Sequence, residues 1–260
     1  MSYNGYKGFT LGKDPSTSVI VSHLLYADDT LIFCGADSQQ VYNLNTTLMV
    51  FESISGLHIN MIKSIIYPVN KVQNLEKFAD ILSCNIGSFP TTYLGLPLGA
   101  KFKSPEIWNG VIEKMEKRLA TWQFRYLLMG GRLTLINNVL DSIPTYCMSL
   151  FPMPSSVLKQ IDRLRRRFLW EGNIQTYKFP LEKWQKVTQP KAQGGLRIRN
   201  LQLHNKGLLL KWLCRFGQNE AGYWKGIIKA KHGILDHWRP MRSRGTHGVG
   251  GLETHQQSPR

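Results

Sequence analysis

The sequence predicts an α+β protein in two parts, a strand-bearing N-terminal portion and a longer, basic helical portion. Two runs rich in β-branched and aromatic residues, 19–26 (VIVSHLLY) and 30–34 (TLIFC), flank Ala27-Asp28-Asp29. That pattern reads as a β-hairpin with acidic residues at its tip. From about residue 101, apolar residues recur at helical spacing instead. Charge divides at the same place. Residues 1–100 carry five Lys or Arg against seven Asp or Glu, and residues 101–260 carry 28 against 10, within a total of +16.

Taken in order, residues 1–18, with Gly5, Gly8, Gly12 and Pro15, read as a ragged remnant ahead of the first strand. The hairpin needs a sheet or helical layer beneath it, because an isolated hairpin is barely stable. Asp37-Ser38 opens a helix with Val41, Leu44, Leu48 and Phe51 or Glu52 along it, and Gly56 closes it. Residues 57–60 and 64–68 read as short extended pieces around Lys63, and a short helix is expected over 71–83. Residues 91–99 (TTYLGLPLG) form a tight hairpin in which glycines relieve backbone crowding. The sheet-bearing part is therefore placed at 19–100.

The helical part is placed at 101–240. Ser104-Pro105 is a start signal, since the hydroxyl caps free N–H groups and proline costs nothing at the first helical position. Ile107, Val111, Met115, Leu119 and Trp122 continue one stripe to about residue 126, where Gly130-Gly131 breaks it. Leu133, Ile136, Val139 and Leu140 form a second helix, interrupted at Pro144. Ser155-Ser156 starts a third, with Val157, Ile161, Leu164 and Phe168 on its packing side. Pro190, Gly194 and Gly195 mark a turn, followed by helices over 201–216 and 223–231. Residues 241–260, polar and glycine-containing, are expected to be disordered.

Composition narrows the function. A field this basic on one half draws polyanions, and neutralising phosphates releases counterions, so a nucleic-acid partner is favoured over a merely soluble basic surface. Cys34, Cys84, Cys147 and Cys214 lie 50 or more residues apart without a CxxC pair, so zinc fingers and redox dithiols lack support and isolated buried thiols are expected. The absence of a secretory start and of a long uncharged apolar run reads as an intracellular protein, nuclear or cytoplasmic, with no membrane partner.

Adjacent carboxylates in a strand-supported turn suit divalent metal chemistry. Two Mg²⁺ ions held by carboxylates can activate a sugar hydroxyl and grip a triphosphate. Asp28 is the stronger ligand candidate and Asp29 shapes the field, although an Asp-Asp pair is also an ordinary surface turn. Tyr26 reads either as a floor beneath a primer end or as a core aromatic, and His23 reads as a strand packing residue.

Residues 23–33 (HLLYADDTLIF), centred on Tyr26-Ala27-Asp28-Asp29, resemble the catalytic hairpin of reverse transcriptases from LINE-type (non-LTR) retrotransposons, especially those of plants. Ser55-Gly56-Leu57, Ile59-Asn60 and Lys63-Ser64 are similar to the next segment of that family. Residues 93–99 (YLGLPLG) are similar to its primer-gripping hairpin. Gly130-Gly131-Arg132-Leu133, Leu150-Phe151-Pro152, Phe168-Leu169-Trp170, Pro190-Lys191 and Gly194-Gly195-Leu196 extend the resemblance over about residues 19–235. It implies a partial right-hand polymerase palm followed by a thumb or connection region. It further implies an RNA template, a DNA primer, deoxynucleoside triphosphates and Mg²⁺. By the same resemblance Asp28 and Asp29 are the acidic metal site, Lys63 the positive group near the leaving pyrophosphate, and Tyr93, Leu94 and Gly95 the primer-positioning turn.

Departures from the family pattern qualify activity. The 27 residues before Asp28 are too few for fingers and for the earlier palm strand bearing another Asp, and Asp14 before Pro15 is no substitute. The family often has Ser where Leu128 stands and a second glycine-containing pattern after Gly195-Leu196, where Arg197 stands here. The chain is therefore expected to be a fragment, inactive by itself, with a strand edge left unpaired and prone to self-association. A non-enzymatic nucleic-acid-binding module and an inert pseudogene product are the alternatives.

In the basic part, Lys159, Arg163, Arg165, Arg166 and Arg167 are expected to wrap the solvent side of the third helix, leaning on phosphates or simply solvated. Lys101, Lys103, Arg125 and Arg132, near turns, are the better candidates for backbone contact. Trp122, Trp212 and Trp224 read as core residues, with Trp184 and Trp238 less constrained.

Overall fold

Strand, helix and turn alternate through the first ninety or so residues and helices dominate thereafter, giving the expected α+β character. The computed structural model describes residues 5–12, 18–122, 127–170, 181–218, 222–236 and 239–240. Two compact units divide the chain. Residues 1–91 with 221–233 form the first, and residues 92–220 with 234–260 form the second. Arg125, Trp238 and residues 241–260 lie outside the described residues.

In the first unit, β1 (Phe9–Leu11) pairs antiparallel with β2 (Val19–Val21), so the stretch 1–18 contributes a strand as well as loop. The run 19–26 is divided at Ser22, and β3 (His23–Tyr26) pairs instead with β4 (Asp29–Ile32). Each pair is a separate two-stranded ribbon. α1 (Ser38–Ser55) begins and ends as its sequence dictates. The Asp37 carboxylate accepts from the Gln40 N–H at 3.4 Å, and Gly56 ends the helix in the left-handed region at φ 69°. Only Val41 and Leu44 of α1 are buried, while Phe51 is 48% exposed, so the expected four-residue packing stripe shortens to its first half. α2 (Leu75–Leu82) packs on α1, and β5 (Ile65–Ile66) pairs in parallel with β6 (Asn85–Ile86). α9 (Tyr223–His232) returns from far along the chain to pack on β1 and β2, and the Tyr223 hydroxyl donates to the Ile20 carbonyl at 3.0 Å.

The second unit opens with β7 (Thr91–Tyr93) and β8 (Leu96–Leu98), joined by Leu94-Gly95. Ser104 caps a 3₁₀ turn at 105–108, its hydroxyl accepting from the Glu106 N–H at 3.2 Å, and α3 (Asn109–Thr121) follows. Ile107, Trp108, Val111 and Met115 are buried, which puts Trp108 in the core. Gly130-Gly131 lie inside the first turn of α4 (Met129–Leu135), so they begin a helix where the sequence reading has them only end one. A π-helical turn at 136–140 continues α4, and α5 (Thr145–Met148) follows Pro144.

α6 (Ser155–Trp170) is the centre of this core through Val157, Ile161, Phe168 and Leu169. α7 (Trp184–Val187) and the 3₁₀ turn at 191–193 lead to α8 (Leu201–Gly217), whose bounds match the periodicity. Of the cysteines, Cys147 is buried and Cys84 partly so. Cys34 and Cys214 are exposed, contrary to the expectation of buried thiols.

Candidate functional site

A two-residue turn, Ala27-Asp28, joins β3 to β4, with Tyr26 and Asp29 as the closing pair. Ala27 adopts φ 51°, the left-handed conformation that tight hairpins require. Asp28 thus projects from the tip and Asp29 from the first position of β4, both exposed. The strands do not bury what flanks them. Leu25 is 67% exposed and Tyr26 64%, so Tyr26 is not a core aromatic. His23 is also exposed, its Nδ1 3.0 Å from the Ser22 hydroxyl, which removes the packing role expected for it. A two-stranded ribbon with this little covered apolar surface supports its turn only weakly.

Lys63 sits exposed in the same unit, in a turn where its N–H donates to the Asn60 carbonyl at 3.1 Å. Among the described residues it makes no ion pair with Asp28 or Asp29. The two aspartates are suitable hard oxygen donors for Mg²⁺. A two-metal centre needs more, and among the described residues no group of three or more His, Cys, Asp or Glu is brought together. The donor set among the described residues therefore falls short of a two-metal site.

The Tyr93-Leu94-Gly95 turn belongs to the second unit. Leu94 at φ 50° and Gly95 at φ 75° place two consecutive residues in the left-handed region, the signature of a tight hairpin turn. The Tyr146 hydroxyl donates to the Leu94 carbonyl at 3.0 Å and fixes the turn against α5. This hairpin is tethered to a helix, whereas the acidic one has exposed strands.

The basic candidates separate into surface and structural groups. Lys101, Lys103, Lys159, Arg163 and Arg166 are exposed, while Arg167 is half-buried. Arg132 is half-buried too, and its guanidinium donates to the Leu169 carbonyl at the end of α6 at 3.3 Å, a structural use that competes with phosphate contact. Arg165 is the clear correction, because it is fully buried instead of facing solvent. Its guanidinium meets both oxygens of buried Asp141, Nε to Oδ1 at 2.9 Å and Nη2 to Oδ2 at 3.0 Å. It also donates to Asp162 Oδ1 at 2.8 Å and to the Arg199 carbonyl at 2.7 Å.

Burial pushes the Asp141 carboxyl up to about 6, against the pull of Arg165 and Arg199. The Trp184 ring lies against the cluster, with Arg165 Cζ 5.3 Å and Arg166 Cζ 5.9 Å from its centroid. Arg165 continues the 157, 161 register of buried positions on α6, a signal that was available in the spacing.

Beside this cluster, residues 183–199, where the sequence marks a turn at Pro190, Gly194 and Gly195, form a tightly bonded segment. Leu196 N–H donates to the Val187 carbonyl and Arg197 N–H to the Gln189 carbonyl, both at 3.0 Å, and Gly195 N–H donates to the Pro190 carbonyl at 3.1 Å. A Cβ at Gly195 would stand 2.1 Å from the Gln189 carbonyl oxygen, so only glycine fits. Arg197 is held at φ 57°, where an L side chain is strained. Glycine at this position relieves the strain. Arg197→Gly is accordingly expected to raise stability by about 1 kcal/mol, read as a higher urea midpoint at unchanged slope. A lowered midpoint would show that the arginine side chain contributes more than its backbone conformation costs.

No family model matches the chain. Over 139 residues, 54% of its length, it is 32% identical to a protein of Arabidopsis thaliana named as a ribonuclease H protein, and the chain spans 22% of that relative's length.

Proposed function

We propose that the chain is a retroelement-derived piece of a reverse transcriptase, taken from the palm and the helical region behind it, whose remaining physical capacity is to hold nucleic acid. The observation that carries this reading is the Tyr26-Ala27-Asp28-Asp29 turn, adjacent carboxylates at the tip of a registered hairpin, followed by the tethered Tyr93-Leu94-Gly95 turn in the order the family uses. The name of the Arabidopsis relative supports a nucleic-acid context. In the whole protein Asp28 and Asp29 would supply oxygen ligands to Mg²⁺, with Lys63 as the positive group at the leaving phosphates.

Phosphoryl transfer depends on preorganised charge around the reacting phosphate. Two exposed aspartates on a two-stranded ribbon do not supply it, so no catalytic step is assigned to the chain by itself. Its exposed Lys101, Lys103, Arg163 and Arg166 instead favour sequence-independent contact with the backbones of an RNA template and DNA primer.

Two measurements on the purified chain test the reading. Primer extension on an RNA template with Mg²⁺ is expected to give no product, and extension abolished by Asp28→Asn would overturn the inactivity. Affinity for a primer-template duplex is expected to fall at least about tenfold between roughly 50 and 200 mM salt. Affinity that ignores salt would remove the nucleic-acid reading.

A further inference from the structure

We propose that the segment 183–199 is a docking surface for a nucleic-acid phosphate backbone, a role that rests on the nucleic-acid reading above and assigns it to residues outside the resemblance-derived site. Residues 181–200 contain five Lys or Arg against the single acid Glu182. Glu182 is already matched by Lys186 at 2.8 Å. Lys183, Lys191, Arg197 and Arg199 are exposed and make no salt bridge among the described residues. Positive charge is thus concentrated in one short stretch, uncompensated at Lys183, Lys191 and Arg197 and shared with buried Asp141 at Arg199.

The charges stand on a fixed frame. Val187 and Ile198 are buried in the core, and the hydrogen bonds at Gly195, Leu196 and Arg197 lock the chain between them. Buried Arg165 holds the Arg199 carbonyl from behind. Cations carried on an ordered backbone lose less freedom when they meet a phosphate than cations on a loose tail do. Arg197 keeps its strained conformation in this frame, and strain of this kind gathers at functional positions.

The surface is chemically selective. Leu181 is exposed at the segment's edge, but between the cations, from Lys183 to Arg199, no large apolar side chain is exposed. An acidic protein partner would be expected to find an aromatic or aliphatic anchor, which protein interfaces use for most of their affinity. A phosphate backbone needs only the charges and donors present here, and Arg supplies planar, multi-donor contacts.

The test compares the full chain with the triple variant Lys191→Gln, Arg197→Gly, Arg199→Gln. Arg197→Gly removes charge while relieving backbone strain, and Arg199→Gln preserves the carbonyl that Arg165 uses, so the fold is retained and circular dichroism checks it. A charge-matched control, Lys114→Gln, Lys117→Gln, Arg118→Gln, removes three exposed cations from α3. Binding of a labelled RNA-DNA duplex is read by fluorescence anisotropy at several salt concentrations.

The segment variant is expected to lose about tenfold or more in affinity and to reduce the salt slope by about two to three, while the control loses clearly less. Equal losses in the two variants, or wild-type affinity in the segment variant, would overturn the proposal and leave the general nucleic-acid reading standing. Absence of binding by the unaltered chain would remove both. Binding of polyglutamate with no binding of the duplex would also overturn the proposal.

Discussion

Arg165→Met is expected to cost the second unit about 3 to 5 kcal/mol, because it strips the buried Asp141 carboxylate of its principal counter-charge. Arg165 and Asp141 are both inaccessible to solvent and meet side-on. The substitution also removes the donors that Asp162 and the Arg199 carbonyl accept from. Replacing both partners by apolar residues, Asp141→Leu with Arg165→Met, is expected to recover much of the loss, since a buried pair is expensive to break and cheap to substitute whole. Urea denaturation followed by tryptophan fluorescence measures this, since Trp108, Trp122, Trp170, Trp184 and Trp212 all lie in the second unit. An Arg165→Met loss below about 1 kcal/mol would show that the pair contributes no more than a surface ion pair.

The same pair has a pH signature. With its folded pKa raised to about 6 by burial, Asp141 takes up a proton in the folded protein at a pH where the unfolded chain, near 3.8, does not. The stability linked to that proton is full below the unfolded value and is lost as pH rises through about 6. Arg165→Met removes the pull that opposes burial and extends this loss to higher pH. Its deficit relative to the unaltered chain is therefore expected to be smaller in mild acid than above neutrality.

The second large effect is expected at Asn205. This residue is 5% exposed and reaches across from α8 to the end of α5, donating to the Met148 carbonyl at 2.7 Å and the Phe151 carbonyl at 2.9 Å. Its own carbonyl accepts from the Met153 N–H at 2.9 Å. Helix ends leave carbonyls without partners, and here one side chain satisfies two of them together with a following donor. Each stranded buried group costs about 1 to 3 kcal/mol, so Asn205→Ala is expected to cost about 3 kcal/mol or more. Asn205→Asp should be at least as damaging near neutral pH, because it keeps the acceptor but turns a carboxylate toward two carbonyls. Parity of both variants with the unaltered chain in the same denaturation assay would sink this assignment.

These two residues also explain which parts of the fold were legible. Asp37, Gly56, Ser104-Pro105 and the Leu94-Gly95 turn carry signals spent within a few residues, and each stands where the sequence places it. The Arg165-Asp141 pair spans 24 positions, and the Asn205 bonds to Met148, Phe151 and Met153 span more than 50. Nothing local marks such partners, although the register of α6 does place Arg165 on the buried face. The acidic turn was legible as a hairpin, but the exposure of its strands was not, because coverage depends on neighbours that a hydrophobic run does not name. Lys191 and Arg199 were missed for the converse reason, since no short motif distinguishes a rigidly mounted cation from a solvated one.

The packing of α9 on β1 and β2 also imposes an order on biosynthesis. Strands β1 and β2 leave the ribosome well before the helix that packs on them, which begins about 200 residues later, at Tyr223. At roughly 5 to 20 residues per second, the interval from residue 91 to residue 232 takes about 7 to 28 seconds. During that time residues 92–220 have all been synthesised and can assemble their own core, while β1 and β2 remain without the helix that packs on them. The nascent β1–β2 ribbon therefore gives a chaperone a long opportunity to act.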